Sequence, residues 1–262
     1  MGASMKTPTR LRLLASTNNA RGDLFTRLVG DLFFALGYDN LRFDVHKSGR
    51  EIDIQGTHRL EPRRLVAECK AHATKMGGAD LNKFLGVVTR ERGKANQTPV
   101  SGYFVSLGGF TEPGLDQEEE TGEQKRIILL DGVQVIEELI RIRILISRTE
   151  AVERAGRCVE HAGLKDAAPD GAELLGHELG YLWAVFYSQG KQRTHFALIH
   201  ADGTPLAETV AQEVIQADRE CGGALHKLGY LSPPSPGPDR EALAESAAER
   251  YRDWIVTECG DI

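Results

Sequence analysis

The stretch GREIDIQGTHRLEPRRLVAECK, residues 49–70, decides how this chain is read. EIDIQ and LVAECK have the apolar content of strands, and the polar HRLEPRR between them reads as a connection. Yet Asp53, Glu68 and Lys70 are charged, and burying a charge is costly unless it is paired or bound to a metal. Strand alternation resolves the conflict. Leu65, Ala67 and Cys69 share one face of the second strand, while Val66, Glu68 and Lys70 share the other. On the first strand Ile52 and Ile54 point one way, and Glu51, Asp53 and Gln55 point the other. Paired as an antiparallel hairpin, the strands would stand Asp53 beside Glu68 and Lys70. Two carboxylates that close repel each other unless a cation lies between them, and oxygen-only donors suit Mg2+ or Mn2+. A lysine on the same face can orient or help deprotonate an attacking water and stabilise charge building on a phosphate. These are the requirements of phosphodiester hydrolysis. The same residues would also serve as the ion-paired wet face of an ordinary hairpin, so the pattern alone leaves both readings open.

Upstream, Leu24, Phe25, Leu28, Val29, Leu32, Phe33 and Leu36 trace one helical stripe that Gly37 stops. LRFDVH reads as a strand and KSGR as a turn. Downstream, Leu81, Phe84, Leu85 and Val88 again have helical spacing, and SGYFVSL is a strand broken by GGFTEPG. DQEEETGEQ reads as an acidic loop with Glu118 to Glu120 solvated, RIILLDG as a strand and turn, and VQVIEELIRIRILI as a helix. Helix, three strands, helix, strand, strand, helix predicts a mixed α/β region. The expected organisation is a flexible N-terminus over 1–20, the α/β domain over 21–148, and a helical linker over 149–176. A small C-terminal α+β domain then covers 177–232, built on the hairpin YLWAVFYS and THFALIH with the helix LAETVAQEVIQADREC. A proline-rich linker and a terminal helix, EALAESAAERYRDWIV, complete it over 233–262.

The totals narrow the class. With 262 residues the chain can bury a real core. Cys69, Cys158, Cys221 and Cys259 form no C-x-x-C pair, which suggests neither a disulfide framework nor a cysteine zinc site and fits a reducing cytoplasm. No apolar run approaches the roughly 18 to 20 residues of a membrane span, and MGASMKTPTR lacks the hydrophobic core of a signal peptide. The net charge of -6 hides an asymmetry. Residues 1–110 hold 17 Lys+Arg against 10 Asp+Glu, whereas 111–262 hold 15 against 28. A basic first half fits a polyanion such as a phosphate backbone.

The pattern G-x-E-I-D-I, then about fifteen residues, then E-C-K resembles the PD-(D/E)xK nucleases, specifically the Mrr-like restriction endonuclease family. FTRLVGDLFFALGY is similar to that family's first helix and its closing glycine-aromatic pair. GYFVSLGGFT followed by RIILLDGVQVIEELI is similar to its later strand, phenylalanine-threonine turn and I-x-L-I-D-G segment. The resemblance spans Arg21 to Ile146 in the correct order and implies a restriction-endonuclease-like mixed sheet flanked by helices. It implies Asp53 and Glu68 as metal ligands, Lys70 as the catalytic lysine, Mg2+ as cofactor with Mn2+ able to substitute, and double-stranded DNA as substrate. The family often has a glutamate just after the first helix's phenylalanine, where this chain has Thr26; Asp23, one turn earlier, is the candidate replacement ligand.

Arg50, Gln55, Arg63, Arg64 and Lys75 flank the constellation and are candidate DNA contacts. His46, His58 and His72 are nearby loop histidines that most simply stand aside, and Gly77-Gly78 precedes a helix whose amides could receive a phosphate. Trp183, Phe186, Tyr187 and Phe196 read as the core of the small domain. The reading is an endonuclease acting in restriction or anti-phage defence, controlled by its C-terminal half or a partner. Cutting two strands implies a homo-oligomer. The segment from Tyr181 to Leu206 is similar to one found in defence proteins between an Mrr-like nuclease and a nucleotide-binding oligomerisation module. A nucleotide-binding ATPase is therefore an expected partner, in cis if the chain is a truncation or in trans. The rival readings are a nuclease-fold DNA-binding or sensor module with weak or lost chemistry, and a pure interaction adaptor.

Overall fold

The structure, a computed structural model, describes residues 9–47, 50–95, 98–120, 122, 126–235 and 237–250. In chain order the first half contains β1 (Leu11–Leu13), α1 (Asn18–Ala35), β2 (Tyr38–Lys47), β3 (Arg50–His58), β4 (Arg64–Lys70), α2 (Gly78–Lys94), β5 (Val100–Ser106), α3 (Glu112–Glu119) and β6 (Ile128–Asp131). There follow α4 (Gly132–Arg141), α5 (Arg148–His161), β7 (Ala167–His177), β8 (Gly180–Gln189), β9 (Gln192–His200), α6 (Glu208–Glu220), β10 (Gly229–Tyr230) and α7 (Arg240–Arg250). The strands make two five-stranded sheets, ordered β2-β3-β4-β5-β6 and β1-β7-β8-β9-β10. The fold is thus mixed α/β with two mixed sheets and flanking helices. Thr17–Val135 form the body of one compact unit, and Ile136–Arg240 with the segment through Ser16 form the other.

In the first unit, α1 starts where the Thr17 hydroxyl accepts a hydrogen bond from the Ala20 amide at 3.2 Å. Its stripe, Leu24, Phe25, Leu28, Val29, Leu32 and Phe33, is buried. Gly37 ends the run at φ 92, and a side chain there would strike the His58 ring at 2.8 Å, so conformation and space both require glycine. β2, β3 and β4 pair antiparallel, while β4, β5 and β6 are parallel with α2 and α3 in the crossovers. Ile52, Val66, Leu81, Phe84, Val88, Phe104 and Phe110 belong to one core cluster, with the Phe84 and Phe104 rings edge to face at 5.5 Å. Lys70, Ser106 and Asp131 align across the ends of the parallel strands, and that edge carries the candidate site.

Two local expectations for this half change. The stretch read as a turn and acidic loop contains α3, started by Thr111 with Pro113 in its first turn. Glu118 is accordingly buried, not solvated, and accepts the Ile127 amide at 2.6 Å; Glu119 and Glu120 are exposed. The helix expected over VQVIEELIRIRILI stops at Arg141. Arg143 adopts φ 64 and the amides of Ile144 and Leu145 both turn back to the Leu139 carbonyl, at 3.0 and 3.1 Å.

The second unit is larger than the hairpin and helix expected of it. β8 and β9 do form that hairpin, and Trp183, Phe186, Tyr187 and Phe196 are buried. Residues 149–176, expected as a helical linker, instead supply α5 and most of β7, which pairs antiparallel with β8. Alternation was hidden there because β7 is buried mainly in its last residues, and its register shifts between Pro169 and Ala172. Within the N-terminus expected to be flexible, Leu11–Leu13 pair in parallel with Leu174–Gly176. Arg12 reinforces the link: its Nη1 lies 2.6 Å from Oδ1 of the fully buried Asp218, whose other oxygen accepts the Leu225 amide. A capping box of Ser147 and Glu150 starts α5. The terminal helix is described only through Arg250; its remaining expected residues lie outside the described set.

Candidate active site

Antiparallel pairing of β3 and β4 runs from Thr57↔Arg64 to Ile54↔Ala67. Continuing that register by one step sets Asp53 against Glu68. At this point the ladder gives way to a side chain: Asp53 Oδ2 accepts the Cys69 amide at 2.7 Å. One carboxylate oxygen is thereby held by the backbone of the neighbouring strand. Across from it, Lys70 Nζ lies 2.6 Å from Glu68 Oε1, with both side chains partly open to solvent. The geometry therefore joins Asp53, Glu68 and Lys70 into one cluster, as strand alternation suggests, although Ile52 packs in the same core cluster as Val66.

Burial, then the neighbouring Glu68 charge, pushes the Asp53 carboxyl up to about 6; the Cys69 amide and Lys70 oppose this. Burial pulls the Lys70 ammonium down, but its hydrogen bond to Glu68 and the charges of Glu68 and Asp53 outweigh that, leaving the net shift upward. Lys70 is thus held as a cation and Asp53 as a carboxylate that carries an electrostatic penalty. A cation of higher charge beside Asp53 would relieve that penalty. The donors, two carboxylates, are hard oxygen ligands that fit Mg2+ or Mn2+ by chemistry. Among the described residues no group of three or more His, Cys, Asp or Glu side chains converges on a metal position.

Asp23 is exposed and does not complete such a group. Thr26, at the position where the resembling family often has an acid, is buried and hydrogen-bonded to the Cys69 thiol. Cys69 alternates away from Glu68 and Lys70 along β4, so Thr26 serves the opposite face. Burial, then the charges of Asp53 and Glu68, pushes the Cys69 thiol well up, which removes it as a nucleophile.

Asp44 escaped the sequence reading. Val45 pairs with Ile52 and Phe43 with Ile54, which sets Asp44 opposite Asp53, where its charge adds to the upward push on that carboxyl. Asp44 has φ 51, an uncommon backbone for a residue other than glycine. The signal was available: Leu41 and Phe43, buried, and Val45, partly buried, alternate along one side of β2, leaving Asp44 on the other.

The candidate DNA contacts separate. Arg63 and Arg64 do not surround the acids. They sit at the start of β4, and Lys70 lies six residues on, about 20 Å at the rise of a strand. Arg63 pairs with Glu61 at 3.2 Å, and Arg64 lies 3.8 Å from the buried Glu91. Gln55 is buried within the sheet, which removes it as a surface contact. Lys75 and His72 are exposed beyond the Lys70 end of β4. The side chains of Arg50 and His46 lie outside the described residues. His58 is at the far end, where its Nδ1 accepts the Leu60 and Glu61 amides. Gly77 caps α2, and a Cβ on Gly78 would meet only the amide end of the flexible Gln117 side chain, so packing does not by itself require that glycine.

Residues 17–139 match the family model of the Mrr catalytic restriction endonuclease domain. Among solved structures, the chain is similar to the crystal structure of a protein of unknown function, AF1548, at 19% identity and a TM-score of 0.34. That likeness covers 54% of this chain and 78% of the other. No curated protein matches.

Proposed function

We propose that, residues 17–139 being a restriction-type endonuclease domain, the chain is a Mg2+-dependent DNA endonuclease acting in restriction or anti-phage defence. The observation that carries the proposal is the Asp53, Glu68 and Lys70 cluster, built where the β3 and β4 ladder gives way to the Asp53 carboxylate. Asp53 and Glu68 would hold the ion, which supplies Lewis-acid stabilisation of charge on the scissile phosphate. Asp53 contributes a preset donor, because the Cys69 amide fixes its other oxygen. Lys70, retained as a cation, faces the phosphate as a charge stabiliser and orients the attacking water, rather than acting as its base. Water attacks phosphorus, the bond to the leaving oxygen breaks, and solvent takes up and returns the protons. Lys75 and His72, beyond the Lys70 end of β4, are positioned to meet the DNA backbone. The unit built on β7, β8 and β9 is the controlling half, with homo-oligomers or a nucleotide-binding ATPase as the means of activation.

A second reading has one observation in its favour. Thr26 is committed to Cys69, and among the described residues no helix-borne acid joins the two motif carboxylates, as in a DNA-binding or sensor module with weak chemistry. Supercoiled plasmid incubated with Mg2+ or with EDTA, using the wild type, Asp53→Ala and Lys70→Ala, separates the two. Mg2+-dependent nicking abolished by both substitutions supports the nuclease. Salt-sensitive DNA binding with no cleavage under any condition supports the module.

A further inference from the structure

In the second unit, two arginines from different elements close on the same small volume. A Cβ placed on Gly171 would lie 3.6 Å from Arg148 Nη2 and 3.8 Å from Arg193 Nη2. Gly171 has φ 114 and sits in the stretch where the register of β7 shifts, so the absence of a side chain there is built into the backbone. Arg193 is held firmly. Its Nε and Nη2 donate to Asp170 Oδ2 and O at 3.1 and 2.9 Å, and its guanidinium stacks 4.1 Å above the Phe186 ring. Arg148 is not compensated: its Nε is buried with no acceptor, and no carboxylate pairs with it among the described residues. Three nearby carboxylates in the sequence are engaged elsewhere. Asp170 binds Arg193 and Ser188, Glu150 binds Ser147 and Arg143, and Glu173 binds Arg12. Arg148 is also the first residue of α5, whose positive end adds to the imbalance.

Asp170 balances the charge of Arg193, but Arg148 has no partner among the described residues and its Nη2 shares the same space, which leaves a net positive charge there and marks a place for an anion. We infer that Arg148 and Arg193, over Gly171, form a binding site for a phosphoryl group. A tetrahedral anion, which presents oxygens in several directions, suits the Arg148 fork together with the Arg193 hydrogens that do not serve Asp170, better than a planar carboxylate, which one fork satisfies. The site lies on the other unit from Asp53, Glu68 and Lys70 and does not depend on the nuclease reading.

The test is isothermal titration of the full chain with inorganic phosphate and with AMP, in EDTA so that no divalent ion recruits phosphate to the carboxylates. Saturable millimolar or tighter binding by the wild type is expected. Asp53→Ala should retain it, and Arg148→Gln should weaken it about tenfold or more. Because Arg148 has no partner among the described residues, Arg148→Gln should melt no lower than the wild type without phosphate, which separates loss of binding from loss of fold. Tighter binding of AMP than of phosphate assigns the group to a nucleotide; equal binding assigns it to the free ion. Absence of saturable binding by the wild type, or binding unchanged in Arg148→Gln, overturns the inference.

Discussion

Asp53→Asn removes a charge while keeping an acceptor for the Cys69 amide, and its effect on stability should run opposite to most substitutions of a hydrogen-bonded carboxylate. The folded carboxyl is raised from 3.8 to about 6, chiefly by burial and then by Glu68. A raised carboxyl pKa means that the folded state binds the proton more tightly than the unfolded chain. Below the unfolded value there is no penalty; it grows as pH rises through the interval and is complete above about 6. The full interval corresponds to about 3 kcal/mol, and residual solvent access lowers this to about 1–3 kcal/mol. Urea denaturation followed by far-UV circular dichroism, in EDTA, should therefore find Asp53→Asn more stable than the wild type by that amount at pH 8 and nearly equal to it below pH 4. Added Mg2+ should stabilise the wild type at pH 8 and close the gap. An Asn variant less stable at pH 8, or a gain that does not change with pH, would refute the electrostatic account of the site.

Other substitutions probe the neighbours. Lys70→Ala removes the cation that opposes the rise of Asp53, so carbon-detected NMR should find the Asp53 titration midpoint above about 6, alongside the loss of cleavage. Asp44→Asn should move the same midpoint below about 6, since it deletes a like charge. Lys75→Gln should lower the slope of log affinity against log salt for duplex DNA by about 1, whereas Arg63→Gln should leave it unchanged, as read by fluorescence anisotropy. Phe104→Ala opens a cavity against Phe84 and Phe110 and should cost about 3–5 kcal/mol in urea denaturation.

The acid and lysine cluster was legible because strand alternation and antiparallel pairing are local rules, and Asp53, Glu68 and Lys70 obey them. The arginines show where such reading stops. Arg63 and Arg64 are only one or two positions farther in sequence from Lys70 than Lys75 is, yet an extended strand carries them to the other end of the sheet. Gln55 looked polar and available, but its rung pairs with Val66, and the residue is buried. β1 was unreadable for a different reason: three residues carry no periodicity, and their partner lies more than 160 positions away. Glu118 passed for a solvated loop residue because nothing in an acidic run announces which member will cap a distant amide.

The pairing of β1 with β7 also orders events in time. As the chain leaves the ribosome, every strand of the β2 to β6 sheet has emerged before Leu174 exists to receive Leu11. That sheet can therefore close while the other is still missing an edge and Asp218 has not yet met Arg12. Nascent molecules pass through an interval in which Asp53, Glu68 and Lys70 are assembled but the second unit is not. A fragment intended to capture the first unit alone should begin at Thr17, since Leu11–Leu13 would otherwise present an unpaired strand to other chains.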